Sequence, residues 1–211
     1  MNPAVEVIVV RTGSANLASV LAAFERLDVA ARVSDDAATV AVAPLAVLPG
    51  VGAFGPAMER LTARGLDDAI TKRVAQGLPL LAICLGMQLL CESSDESPGI
   101  AGLGLVPGQV RRFRGPQRVP QMGWNTVTPA ENAQLLRPGA AYFANSYRLA
   151  AIPTEDGWSG TTSDYGEPFA SAIERGPLLA CQFHPELSGA YGLALIRRWL
   201  LAATTVGGAA C

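Results

Sequence analysis

The chain has 211 residues, 50% of them hydrophobic, and a formal charge of −2 at pH 7. That is enough chain for one domain with its own core, too apolar for a disordered segment, and too weakly charged for a basic nucleic-acid-binding face. Small-molecule chemistry or protein partners remain.

The opening, MNPAVEVIVV, lacks the basic stretch of a secretion signal and runs into a β-branched segment, so Val5 to Val10 is predicted as the first core strand. Asn16 then opens a helix whose Leu17, Val20, Leu21, Phe24 and Leu27 recur at spacings of three and four. Ala46 to Leu48 reads as a second short strand entering the turn "PGVGAFG". Helical stretches follow from Pro56 and over Asp67 to Gln76, then a strand over Leu78 to Ile83 and a helix from Leu85 to about Cys91. Alternating helices and continuously apolar strands predict an α/β fold with a mostly parallel, doubly wound sheet, whose post-strand loops carry the site.

Beyond Pro98 glycine and proline become frequent, and the short runs "GQVRRF", "AYFANSY", "FASAIE" and "LLACQF" predict an added antiparallel region. Tyr191 to Ala202 reads as an amphipathic helix, with Leu195, Ile196 and Trp199 on one side and Arg197 and Arg198 towards the other. One domain is expected over residues 1–203, with a flexible tail at 204–211. No apolar run is long enough for a bilayer, and the cysteine pattern does not resemble a secreted disulfide framework, so a reducing cytoplasm is the expected compartment.

Three segments carry chemistry. Cys84 ends an apolar strand where a helix begins, and N–H groups at a helix start stabilise a thiolate. The small residues Ala82 and Gly86 bracket it at i−2 and i+2, the spacing of a nucleophile elbow, although a buried packing cysteine would read the same in isolation. The chain's one histidine, His184, lies in "CQFHPELSG"; Glu186, two residues on in an extended segment, faces the same way and can orient the imidazole. Together these form a Cys, His, Glu triad in which His184 is base and then acid. The glycines of "PGVGAFG" can point N–H groups at an anion, or simply make a turn. With one histidine and no CxxC pair, neither zinc nor any other metal centre is expected; Cys91 and Cys181 read as core fillers.

Taken together, "PGVGAFG", "ICLGMQLL", "PQMGWN", "YFANSY" and "CQFHPELSG" resemble the class I (triad) glutamine amidotransferases, and among them the glutaminase subunits of imidazole glycerol phosphate synthase. The resemblance implies a flavodoxin-like fold, no cofactor, and hydrolysis of glutamine to glutamate and ammonia. The ammonia would pass to a separate (β/α)₈-barrel cyclase subunit, which makes imidazole glycerol phosphate and AICAR in histidine biosynthesis. It further implies that Cys84, His184 and Glu186 are catalytic, and that Gly50, Val51, Gly52 and Leu85 form the oxyanion hole. Gln88 and Glu96 would bind glutamine, while Asn16, Trp124 and Asn125 would face the partner. The plain alternative for Gln88 is an exposed helix residue and for Glu96 a solvated acidic loop, while Asn16 reads equally as a helix N-cap. Neither nucleic acid nor membrane is an expected partner.

The chain departs from the family pattern at Arg11, Ala82, Asn145 and Leu187. No triad member is affected. Arg11, Asn145 and Leu187 are expected on the partner-facing side, where they bear on docking. Another class I glutaminase, of the anthranilate or aminodeoxychorismate synthase type, and a non-catalytic regulatory homologue are the alternatives.

Overall fold

The apolar run after Glu6 forms β1 (Val7–Val10), in which every residue is buried, as a strand covered on both faces requires. The computed structural model describes residues 6–13, 16–155 and 157–207, apart from the side chains of 204–207. After β1 come α1 (Leu17–Glu25), β2 (Ala31–Ser34), α2 (Ala37–Val42), β3 (Leu45–Gly50), α3 (Phe54–Ala63), α4 (Leu66–Ala75), β4 (Leu80–Cys84) and the short α5 (Leu85–Leu89). The second half holds β5 (Cys91–Ser94), β6 (Val106–Arg112), β7 (Gln121–Pro129), β8 (Gly139–Asn145), β9 (Tyr147–Leu149), β10 (Ser159–Asp164), β11 (Pro168–Arg175) and β12 (Leu178–Cys181). A 3-10 turn (Pro185–Leu187) and α6 (Gly189–Gly207) follow.

The strands pair in the order β2-β1-β3-β4-β12-β11-β10-β7-β8, parallel from β2 to β12 and antiparallel from there to β8. A side branch, β5-β6-β9, joins β11 through Leu149 and Ala170. Alternation along each parallel strand sends side chains to two separate cores. Val7, Val9, Leu81 and Ile83 meet α1 and α6, whereas Ile8, Val10, Leu80 and Ala82 meet α2, α3, α4 and α5. This is the doubly wound α/β sheet with an antiparallel extension that the alternating pattern implies.

Several elements differ from expectation. β2 and α2 lie between the first helix and the strand expected as second; "ARVS" is only half buried at the sheet edge, so it shows neither a continuous apolar run nor a clean alternation. The helix expected to reach Cys91 stops at Leu89, and Cys91 starts β5. Cys91 pairs there with Val106 of β6, and Gly102 packs so closely that a Cβ on it would lie 2.1 Å from the Cys91 carbonyl. "LLACQF" belongs to the parallel half on one side: β12 pairs parallel with β4 and antiparallel with β11. "MGWN" lies in β7, and β10 carries no apolar alternation strong enough to announce it. The backbone of α6 runs to Gly207, past the expected domain limit, and residues 208–211 of the expected tail lie outside those described. Among the described residues no helix is long and apolar enough to cross a membrane.

Arg73 is the one fully buried arginine among the largest core side chains. It reaches from α4 to the carbonyls of Val40, Ala43, Pro44 and Pro79 at 2.6–3.3 Å, tying the end of α2 to the starts of β3 and β4. Burial lowers its pKa to about 10, still far above neutrality. Arg73→Leu should destabilise the protein by about 3 kcal/mol or more, because each carbonyl left unpaired costs roughly 1–3 kcal/mol. The loss is read from the urea midpoint, and Arg73→Lys should recover little of it, since an ammonium cannot span that fork of acceptors.

Candidate active site

The C-terminal end of β4 is where the parallel strands present their loops. Cys84 there has φ 54° and ψ −111°, a left-handed conformation that costs a residue with a Cβ about 1–3 kcal/mol. The sharp turn lifts the thiol out of the strand and starts α5 at once with Leu85. Two glycines let it form. A Cβ on Gly86 would lie 1.9 Å from the Leu48 carbonyl, and one on Gly50, which pairs with Cys84, would lie 2.9 Å from the Leu85 Cβ. Ala82, fully buried between Leu48 and Ala180, leaves the elbow intact because it is still in regular strand two residues before the turn.

β12 brings the histidine. It runs parallel beside β4 with Cys181 opposite Ile83, so the chain leaving β12 passes directly alongside Cys84. In the extended stretch that follows, Gln182 and His184 turn to the same side. His184 Nδ1 lies 2.8 Å from Glu186 Oε1, and the imidazole lines the same cavity as Cys84. With Nδ1 engaged by the carboxylate, the nitrogen left for sulfur is Nε2. The segment is anchored from behind: the His184 N–H donates to Tyr142 at 2.9 Å, and the Ser188 hydroxyl donates to the His184 carbonyl at 2.6 Å. α6 closes on this turn through Gly192, where a Cβ would lie 1.8 Å from the Pro185 carbonyl.

Burial disfavours charge on His184, but hydrogen bonds and negative charge from Cys84 and Glu186 outweigh it and raise its pKa from 6.5 to about 10. A histidine whose pKa is raised by folding adds stability that is complete below about 6.5 and fades as pH rises through about 10. The melting-temperature gap between wild type and His184→Gln should therefore narrow steadily across that window. The other described cysteines are both fully buried: burial and Glu92 push Cys91 up to about 12, and burial with Glu186 and Glu174 pushes Cys181 well above its usual range.

A cavity of about 350 Å³ opens over Cys84, lined by Val51, Gly52, Leu85, Gln88, Glu96 and His184, together with Asn145, Ser146 and Tyr147 from the β8–β9 turn. Gly52 has φ 102°, open to glycine alone, while Val51 is partly exposed. Gln88 is buried rather than an exposed helix residue; its Nε2 donates to the Tyr147 carbonyl at 3.0 Å and to Gln182 Oε1 at 2.9 Å. Gln182 in turn donates from Nε2 to Cys84 Sγ at 3.7 Å. Glu96 is not a free loop acid, since its Oε2 accepts from the Phe54 N–H at 2.8 Å and caps α3.

Asn145 is buried in the cavity wall, with Nδ2 on the Tyr147 carbonyl at 3.0 Å. The reason is register: Asn145 ends β8 opposite Gln121, and both point inward. Arg11 and Leu187 are exposed. Trp124 is 61% exposed beside Met122 at 64%, an apolar rim near the mouth. Asn125, next to it on β7, is half-buried and donates to the Asp164 carbonyl at 2.8 Å, and Asn16 caps α1 by accepting from the Ser19 N–H at 3.3 Å. Among the described residues no group of three or more His, Cys, Asp or Glu is placed to hold a metal.

Gln182 and the Tyr147 carbonyl were not singled out from the sequence. Gln182 was within reach, since it stands two residues before His184 as Glu186 stands two after; Tyr147 acts through its backbone, which leaves no mark in residue type.

Residues 10–203 match the family Glutamine amidotransferase class-I. The chain is 47% identical to "Imidazole glycerol phosphate synthase subunit HisH" of Deinococcus radiodurans, over 90% of this chain and 91% of that protein. The chain belongs to the class I glutamine amidotransferases, among the HisH-type glutaminase subunits. The HisH subunit of Symbiobacterium thermophilum is 44% identical over 92% of each chain. "Imidazole glycerol phosphate synthase hisHF, chloroplastic" of Arabidopsis thaliana is 40% identical, and there the amidotransferase match spans 33% of a longer protein. The amidotransferase fold recurs in a solved glutamine amidotransferase at a TM-score of 0.75 and 21% identity, covering 94% of this chain and 98% of that one.

Proposed function

We propose that this HisH-type subunit hydrolyses glutamine through a thioester on Cys84. His184 Nε2 takes the thiol proton as the Cys84 sulfur attacks the side-chain amide carbon, and the developing oxyanion is held by the Leu85 N–H and an N–H from Gly50 to Gly52. His184 protonates the departing ammonia from Nε2, then takes a proton from the water that opens the thioester and releases glutamate. Glu186 holds the imidazole tautomer through Nδ1 and stabilises its positive form. Gln88 and Glu96 hold the amino-acid end of the substrate. The observation that carries this reading is the convergence of a cysteine on a strained strand-to-helix turn with a histidine whose second nitrogen is 2.8 Å from a buried carboxylate.

The ammonia passes to a (β/α)₈-barrel cyclase subunit, which combines it with the phosphoribulosyl formimino-AICAR phosphate intermediate to give imidazole glycerol phosphate and AICAR. The Arabidopsis protein, in which the amidotransferase match leaves about two thirds of the chain for something else, supports a fixed partnership of this kind. The exposed Trp124, with Asn125 and Asn16, forms the docking side, where a large aromatic is the usual anchor. The proposed compartment is the cytoplasm, where a nucleophilic thiol stays reduced.

The experiment is glutamate release from glutamine by the subunit alone, and with the barrel subunit of its own genome and the ribulosyl ligand. Release that rises strongly with partner and ligand is expected. Equal release without the partner would retain the hydrolysis and sink the coupling; no release in any condition would sink both.

A further inference from the structure

Gln182 is fully buried between Cys84 and Gln88, two residues that line the cavity, and its amide can point only one way. Nε2 donates to Cys84 Sγ at 3.7 Å and Oε1 accepts from Gln88 Nε2 at 2.9 Å. Turned round, it would set a carbonyl oxygen against the sulfur and oppose two NH₂ groups, losing both bonds. Gln88 is fixed by the same logic. Its two amide protons are committed, one to Gln182 and one to the Tyr147 carbonyl at 3.0 Å, so what it offers to a ligand in the cavity it lines is an acceptor, its own carbonyl oxygen. The group of an amino-acid substrate that suits a lone carbonyl acceptor is the α-ammonium.

We infer that Gln182 is a positioning residue that couples the substrate's α-ammonium to the nucleophile through a one-way relay: ammonium to Gln88, Gln88 to Gln182, Gln182 to the Cys84 sulfur. The inference rests on the glutaminase reading above. Every donor in the chain faces the sulfur, so each bond polarises the next in the same sense, by about 10–30% per bond. A cation seated on Gln88 strengthens the N–H that Gln182 presents to sulfur, and it does so most when the sulfur carries negative charge. The nucleophile is thereby held ready in response to a ligand bearing an amino-acid end. Nothing in the relay touches the scissile amide, so its effect falls on turnover more than on affinity.

The test uses the complex with the barrel subunit and ligand, and compares wild type, Gln182→Met and the isosteric Gln182→Glu, whose carboxylate still accepts from Gln88 but has no proton for sulfur. With L-glutamine, both variants should lower kcat by about 10- to 100-fold, the loss of one hydrogen bond to a charged group, with KM within about threefold of wild type. With glutaramic acid, which has the same amide and no α-amino group, the variants should lose far less, because that substrate never drives the relay. Thermal melting of Gln182→Met, which buries no charge, separates this from misfolding. A raised KM with kcat intact, or equal kcat losses on both substrates, would overturn the coupling. If wild type releases no glutamate from L-glutamine, the glutaminase reading itself has failed.

Discussion

Replacing Cys84 with alanine is expected to lower partner-stimulated glutamate release by at least about 10⁴-fold, the scale on which removal of a single triad member acts. The loss should lie in kcat. The groups proposed to hold the substrate, Gln88 and Glu96, keep their partners at the Tyr147 carbonyl and the Phe54 N–H, so glutamine should still bind, and isothermal titration would register it. Glu186→Gln should act more mildly, by about 10²- to 10⁴-fold, because it leaves the thiol and the oxyanion donors in place while removing the charge that fixes the His184 tautomer. Residual turnover in Cys84→Ala close to wild type would place the nucleophile elsewhere, and neither Cys91 nor Cys181, both fully buried, is placed to supply it.

Gly86→Ala is expected to damage stability and turnover together. The added Cβ would lie 1.9 Å from the Leu48 carbonyl and 3.0 Å from its carbon, contacts that backbone cannot yield without sliding α5 away from β3. Overpacking of this kind costs about 3 kcal/mol or more. Because Cys84 and Leu85 open the same helix, the slide also moves the sulfur and the N–H proposed for the oxyanion, and losing one such donor costs a further 2.7–4 kcal/mol or so in the barrier. Gly77→Ala is the control: its φ of 68° carries backbone strain but no atom lies within 4 Å, so it should lose only about 1 kcal/mol and no activity. Urea midpoints and kcat measured on both variants check the pair.

Much of this site was legible because its chemistry is concentrated in short stretches. The elbow shows in the spacing of Ala82, Cys84 and Gly86; the His184 to Glu186 pair shows in its spacing of two, although Pro185–Leu187 form a 3-10 turn and not the extended segment expected, so the turn and not strand alternation brings the two side chains together. What escaped depends on distance or on backbone. Gln88 and Gln182 are 94 positions apart and meet only because β12 lies beside β4. Glu96 reaches the start of α3 across 42 positions, and nothing in "ESSDESPG" indicates that its carboxylate would serve as a cap. That Asn145 lines the cavity was not legible, because residue type alone does not say which face of β8 it occupies; the register with β7 does. The edge elements β2 and α2 were missed for a related reason, since partial burial blurs the periodicity that marks fully covered strands.

The left-handed backbone at Cys84 sets fold stability against turnover at a single residue. Alanine and glycine there both lack the thiol, so the difference between the two variants isolates the backbone conformation. Cys84→Gly should unfold about 1 kcal/mol harder than Cys84→Ala, as relief of a φ of 54° outweighs the looser unfolded chain. A descendant released from the need to turn over substrate would thus find glycine the more stable residue at this position. Cysteine there sits against a thermodynamic slope, and the reaction proposed for it is what would oppose that drift.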